Sequence, residues 1–222
     1  MKVLAVGAHP DDIEIGCGAT LVAHRLRGDA VTLLVMTTGE QGPQHASSRM
    51  QEQQDAADLL GAVVRWGGFP DGEVPTGRAA VEAVQAALAE SDADIVYSHT
   101  PADTHQDHRA TAAAVLAATR RLPRVLQYES PTSVGFAPNV FVDVAGLVEC
   151  KLDVIRAHMS QVLKNGLVDL EALEALARSR GFQSRIRYAE AFQTERFLWD
   201  VMAIDRPSST RTATTAVPSS AA

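Results

Sequence analysis

Val3-Leu4-Ala5-Val6-Gly7-Ala8-His9-Pro10-Asp11-Asp12-Ile13-Glu14 is the stretch from which the rest of the chain can be read. Its short apolar run, rich in β-branched residues, predicts a buried strand. The strand ends on Gly7-Ala8 and releases one imidazole and two adjacent carboxylates. Pro10 fixes its own φ and disfavours helix at His9, so the chain turns there. The apolar pattern resumes at Ile13, Ile15, Leu21 and Val22, which predicts a helix starting near the acidic pair. Strand, polar turn and helix in that order are how an open α/β sheet presents chemistry at the carboxyl end of a strand.

The same alternation continues outward. Strands are expected over 30–36, 63–66, 94–98 and 125–128, and helices over 47–60, 79–89 and 109–122. Between them lie polar strand-end loops: Thr37 to Gly42, Gly67 to Gly72 with a turn at Pro70-Asp71-Gly72, and His99 to Asp107. Strands alternating with helices imply an open, mostly parallel sheet with helices on both faces. Beyond Tyr128 the rhythm changes to a helical and strand extension. A strand is expected at 140–144, an amphipathic helix at 147–161, a second helix at 170–180 ended by Gly181, and a last apolar segment at 197–204. Tyr188 to Phe192 reads equally as a strand or as a loop on the substrate side. From Arg206 on, Ser, Thr, Ala and Pro offer no buried face, which predicts one domain over 1–205 and a disordered tail over 206–222.

Composition narrows the function. The 222 residues carry 46 % apolar side chains, enough for one substantial core. A formal charge of −7 without a dense Lys/Arg block argues against nucleic acid and against a polybasic membrane anchor. The first residues enter a strand directly, without the pattern of a secretory leader, and no apolar run is long enough to span a bilayer. A cytoplasmic protein is the resulting expectation; a homo-oligomer is left open. Cys17 and Cys150 lack the spacing of a structural zinc knot. Gly16-Cys17-Gly18 is not a complete dinucleotide fingerprint and is read as close packing or a bend. His24 and His45 are read as isolated solvated histidines.

A second polar cluster, His105-Gln106-Asp107-His108, follows the fourth strand. Two histidines three apart share one side if a helix starts there. With His9, Asp11 and Asp12 they put three imidazoles and three carboxylates on two strand-end loops. Imidazole and carboxylate are the usual ligands of catalytic Zn²⁺, which takes three protein ligands and leaves a position for water. Each residue alone is ordinary; the conjunction is what points to a metal.

Ala8-His9-Pro10-Asp11-Asp12-Ile13-Glu14 together with His105-Gln106-Asp107-His108 resembles the PIG-L (LmbE-like) zinc-dependent de-N-acetylases. The resemblance runs from Lys2 to about Ala203. It includes Thr38-Gly39-Glu40, Arg49-x-x-Glu52, Pro70-Asp71-Gly72 and Ala157-His158-Met159-Ser160-Gln161. It implies a Rossmann-like fold and hydrolysis of acetamides on amino sugars or their conjugates. By position, His9, Asp12 and His108 would hold the zinc, with Fe²⁺ or Co²⁺ also compatible with such ligands. Asp11 would be the general base, and His105 would stabilise the oxyanion or protonate the leaving amine. Asp107 would orient a neighbouring imidazole. Arg49 and Asp71 would help bind the sugar, and His158 either lines the site or packs on its helix. The expected partner is a small N-acetylated sugar. Cleavage of another amide, such as a thiol conjugate, and a noncatalytic metal- or sugar-binding protein are the alternatives; the base Asp11 disfavours the latter.

Overall fold

A computed structural model describes residues 1–42, 46–162, 168–194 and 196–199. The opening apolar run is strand β1 (Lys2–Gly7), and Val3, Leu4, Ala5 and Val6 are fully buried. It is followed by α1 (Asp12–Leu26), β2 (Ala30–Thr37), α2 (Ala46–Leu60), β3 (Val63–Phe69), α3 (Arg78–Ser91), β4 (Ile95–His99), α4 (Gln106–Ala118) and β5 (Val125–Tyr128). The extension adds β6 (Val140–Asp143), α5 (Val148–Arg156), α6 (Met159–Val162), α7 (Leu170–Gln183) and β7 (Ala189–Gln193).

The seven strands form one sheet in the order β3-β2-β1-β4-β5-β7-β6. The first five strands pair in parallel, while β7 runs antiparallel between β5 and β6. Within the stretch Tyr188 to Phe192, Ala189 to Phe192 lie in this strand and Tyr188 precedes it. Because β1 sits between β2 and β4, the chain winds outward in both directions from it. The crevice beyond the carboxyl ends of β1 and β4 is therefore a topological switch point.

Side chains of β1 alternate between the two faces, as a pleated strand requires. Val3 and Ala5 join Ile13, Leu21, Ala57, Leu60 and Val154 in one core layer. Leu4 and Val6 join Val84, Ala87, Ala110, Ala114 and Val115 in the other. At roughly 1.5–3 kcal/mol for each large apolar side chain buried, two dry layers on one strand make β1 the anchor of the fold. A third cluster (Ile15, Val148, Leu152, Ile155, Leu173 and Ala177) fastens the extension to α1.

Several expectations shift. The single helix expected over 147–161 breaks into α5 and α6. The amides of Ala157 and His158 turn back to Val154 and Ile155, and Glu52 of α2 caps a fresh start by accepting from the Ser160 amide and hydroxyl. Helix α4 begins three residues earlier than expected because the His105 ring accepts the Asp107 amide as an N-cap. Strand β3 runs on to Phe69, paired with Thr37. Helix α7 continues through Gly181, where a Cβ would lie 2.5 Å from the Arg187 carbonyl oxygen, so this glycine is a site of close packing rather than a stop. Gly16 matches its expected role: a Cβ there would lie 2.2 Å from the Tyr128 ring. The bend comes at Cys17 (φ −146°, ψ 21°). Glu190 accepts the amides of Ala19 and Thr20 that the bend frees, and Lys151 Nζ binds the Ile15 carbonyl and Glu190.

His24 is not solvated. It is buried, with Nδ1 2.7 Å from Asp29 Oδ2 and Nε2 2.9 Å from the Tyr97 hydroxyl, because α1 presses its last turn against β4. His45, the tail from Arg206, and the apolar segment beyond Trp199 lie outside the described residues. Among the described residues no helix is long and apolar enough to cross a membrane.

Candidate active site

The site grows out of the turn that ends β1. The Ala8 carbonyl is held by the amide and hydroxyl of Thr37 at the end of β2. Asp11 then adopts a left-handed conformation (φ 92°, ψ −26°) as the residue before α1. For a non-glycine residue this conformation is costly and persists only where surrounding contacts over-determine it. Here Arg49 Nη2 grips the Pro10 carbonyl at 2.7 Å, and the Asp11 amide points at Gln53 Oε1 at 3.4 Å. The turn sends the two acidic side chains apart. Asp12 folds back and accepts the His9 amide at 2.7 Å, while the Asp11 carboxylate faces Arg49 Nη2 at 3.5 Å.

Two further loops, those after β3 and β4, converge on this turn. Asp12 Oδ2 lies 3.3 Å from His9 Nδ1, and Asp12 Oδ1 lies 3.4 Å from Nε2 of His108 in the first turn of α4. The other nitrogen of His9 meets Asp71 Oδ1 at 3.1 Å and Asp107 Oδ2 at 3.3 Å. Asp107 is itself fixed by the amides of Gly72 and Val74. The half-buried His105 ring stacks on His108 with centroids 4.6 Å apart and stands edge-on to His9 at 4.7 Å.

Of the residues singled out in sequence, His9, Asp11, Asp12, Asp71, His105, Asp107 and His108 therefore lie together. Arg49 is buried behind Asp11, with Nη1 and Nη2 directed at main-chain carbonyls. His158 is fully buried, 3.6 Å from Glu14 Oε2, and Gln53 Nε2 holds the other oxygen of Glu14 at 2.6 Å. Two residues not singled out also belong here. Asp103 Oδ2 lies 3.2 Å from His108 Nδ1 and accepts the Ser130 hydroxyl at 2.7 Å. His99, the last residue of β4, is fully buried with Nε2 3.2 Å from Asp12 Oδ2. A histidine ending a strand of the same sheet was the available signal for His99; nothing local marked Asp103.

Electrostatics separates the two neighbouring aspartates. Burial and the adjacent Asp12 charge push the Asp11 carboxyl up to about 6, against the opposing pull of Arg49 and His158. Asp12 is buried too, but His108, His99 and His9 hold it well below the usual carboxylate range. Burial works against charge on His9, yet hydrogen bonds to Asp107, Asp12 and Asp71 push it up to about 12. His108 is raised in the same way by Asp12 and Asp103, whereas burial and the charge on His108 lower His105. The pocket thus calls for positive charge at its centre.

The donor set suits a metal ion. Three overlapping groups, His9/His105/His108, Asp12/His99/His108 and His9/Asp71/Asp107, each bring their ligand atoms within 4.8 Å of one another. At bond lengths of about 2.1 Å, tetrahedral ligand atoms stand about 3.4 Å apart. Asp12 Oδ2 to His9 Nδ1 (3.3 Å) and Asp12 Oδ1 to His108 Nε2 (3.4 Å) have that length, but through different carboxylate oxygens, and His9, Asp12 and His108 are not themselves one of these three groups.

Comparison with known proteins agrees. The sequence profile of PIG-L, GlcNAc-PI de-N-acetylase, matches residues 4–119. The uncharacterized deacetylase YaiS of Escherichia coli K12 is 36 % identical over 168 residues, covering 71 % of this chain and 90 % of YaiS. The diacetylchitobiose deacetylase of Thermococcus kodakarensis is 30 % identical over 219 residues, 86 % of this chain and 82 % of that enzyme. Among solved structures, the conserved protein TT1542 of Thermus thermophilus superposes with a TM-score of 0.81 at 28 % identity, over 90 % of this chain and 97 % of that one. The chain belongs to the PIG-L family of de-N-acetylases.

Proposed function

We propose that this chain is a zinc-dependent hydrolase that removes the acetyl group from the nitrogen of an acetylated amino sugar or sugar conjugate. The observation that carries this reading is the divergence of Asp11 and Asp12, one residue apart. Neighbouring titratable groups whose environments drive their proton affinities in opposite directions are how one site obtains both a base and a fixed anion. The Thermococcus relative, a diacetylchitobiose deacetylase, supports the substrate class.

His9, Asp12 and His108 would hold the ion, which when bound polarises the amide carbonyl and acidifies a water. Asp11 takes the proton of the attacking water. A carboxylate lifted toward neutrality is matched to that task, because it accepts a proton readily and can give it up again. The His105 ring accepts the Asp107 amide at Nδ1, so the neutral ring carries its proton on Nε2. That N–H is the donor for the oxygen on which negative charge develops as water adds to the carbonyl carbon. When the carbon–nitrogen bond breaks, the proton held by Asp11 passes to the leaving amine, and the products are acetate and a free amine. Asp71 and Asp107 accept from His9 Nε2 and so set the ring's orientation and tautomer. Asp71 and Arg49 are the residues proposed for sugar contact. His158, buried against Glu14, acts on substrate only through Asp11.

The test is acetate release from N,N′-diacetylchitobiose and a panel of N-acetylglucosamine conjugates, with metal analysis on the same preparation. Acetate released by the loaded chain and abolished by a chelator is the expected result. A fully loaded chain that deacetylates none of the panel overturns the reading.

A further inference from the structure

His99 shows a use of histidine that the proposed reaction leaves unexplained. It is fully buried at the end of β4, 87 positions from Asp12, yet its Nε2 lies 3.2 Å from Asp12 Oδ2. Its ring stacks on that of His108 with centroids 4.0 Å apart and planes 15° apart. The ring also meets Tyr128, at 4.8 Å and 59°, whose hydroxyl is pinned to the Val6 carbonyl of β1. His99 thus touches both Asp12 and His108 while being held by the two strands flanking the crevice.

Nearly parallel rings do not direct their in-plane lone pairs to a common point, so the stack is poor geometry for His99 and His108 to share an ion. It is good geometry for a buttress. Nε2 also lies 3.2 Å from the Ala8 amide, and one nitrogen cannot accept that proton and donate to Asp12 at the same time. With the proton on Nδ1, which has no partner among the described residues, a lone pair would face a buried carboxylate oxygen. With the proton on Nε2, the ring gives up the bond it would accept from the Ala8 N–H and donates instead to a charged acceptor, the stronger kind of hydrogen bond.

We propose that His99 is a positioning residue for the metal centre, donating from Nε2 to Asp12 Oδ2 and so fixing the carboxylate that spans His9 and His108. The inference rests on the reading of His9, Asp12 and His108 as the ligands. Groups behind metal ligands typically change metal affinity by about 10–100-fold when removed.

Two variants separate the hydrogen bond from the stack. His99→Phe keeps a flat ring against His108 and loses the donor. His99→Gln loses the ring but places an amide N–H near the position of Nε2. Zn²⁺ affinity of the full chain is measured by competition with a chromophoric chelator, beside the melting temperature of each metal-free protein. The expected result is at least a tenfold loss of affinity in His99→Phe and a loss of no more than about threefold in His99→Gln. Unchanged affinity in His99→Phe overturns the proposal, and so does the reverse ranking, which would give the role to the stack. Should His99→Phe fail to fold, a tenfold loss in His99→Gln alone overturns it and retained affinity supports it. A wild-type chain that takes up no Zn²⁺ overturns the ligand reading and this inference together. A chain that binds Zn²⁺, shows the expected ranking and deacetylates nothing overturns the proposed reaction alone.

Discussion

Asp12 Oδ2 accepts the backbone N–H of His9 at 2.7 Å, closing the turn at Pro10 with the carboxylate directed inward at the histidines. The Asp11 carboxylate leaves the same turn on the other side, toward Arg49. The two acids are therefore expected to fail differently. Asp12→Asn should weaken metal binding, since an uncharged amide is a poorer ligand. Asp11→Asn should keep its metal and lose about 10²–10⁴ in turnover, the usual cost of removing a general base. Metal content and turnover measured in parallel check this. An Asp11→Asn protein without metal beside a loaded, slow Asp12→Asn would exchange the roles.

Metal uptake should release protons. In the metal-free chain His9, pushed up to about 12, and His108, also raised, hold protons that a metal ligand must give up. Affinity for Zn²⁺ is then expected to rise with pH between 6 and 8, because each displaced proton is released into a solution of lower proton activity. Titration calorimetry in buffers of different ionisation enthalpy counts the protons directly. Proton-neutral binding across that range would show that His9 is not a ligand in this form.

His105 is expected to work as a neutral donor. Burial and the charge on His108 lower its proton affinity, and the Asp107 amide fixes its tautomer. His105→Ala should keep the metal and lose about 10²–10³ in turnover, the scale of one lost oxyanion donor. His105→Gln, which retains an N–H, should recover part of that loss. Equal turnover in the two variants would remove the donor role.

His24 ties stability to pH. Burial, outweighing the bond to Asp29, lowers its pKa below the ordinary 6.5. Unfolded chains therefore bind a proton at pH values where the native chain does not. Stability from this group is present above pH 6.5 and is lost as pH falls toward the depressed native value. The melting temperature of the wild type should drop between pH 7 and 5 more steeply than that of His24→Gln, whatever the offset between the two curves. Parallel slopes would show that His24 contributes nothing to the acid sensitivity.

Much of this protein is local in origin. The apolar run before Gly7 reads as a strand buried on both faces from its own composition, and the alternation through Tyr128 leads to a mostly parallel sheet. The turn at Pro10 and the three-residue spacing from His105 to His108 bring imidazole and carboxylate side chains onto strand ends, because strand pleat and helix pitch set which near neighbours share a side. Those regularities were legible in sequence, and with them most of the candidate site: His9, Asp11, Asp12, His105, Asp107 and His108.

What the sheet alone decided lies far apart along the chain. Asp12 and His99 are 87 positions apart, and Glu52 and Ser160 are 108 apart. The contact of His99 with Asp12 and the break between α5 and α6 depend on such distant pairs and on no local pattern. Asp103 reaches His108 only because Ser130 after β5 helps hold its carboxylate. His24 is dry only because α1 lies on Tyr97. Burial and charge in such places are set by which distant groups close over a side chain, and hydrophobic period and motif spacing carry no record of that.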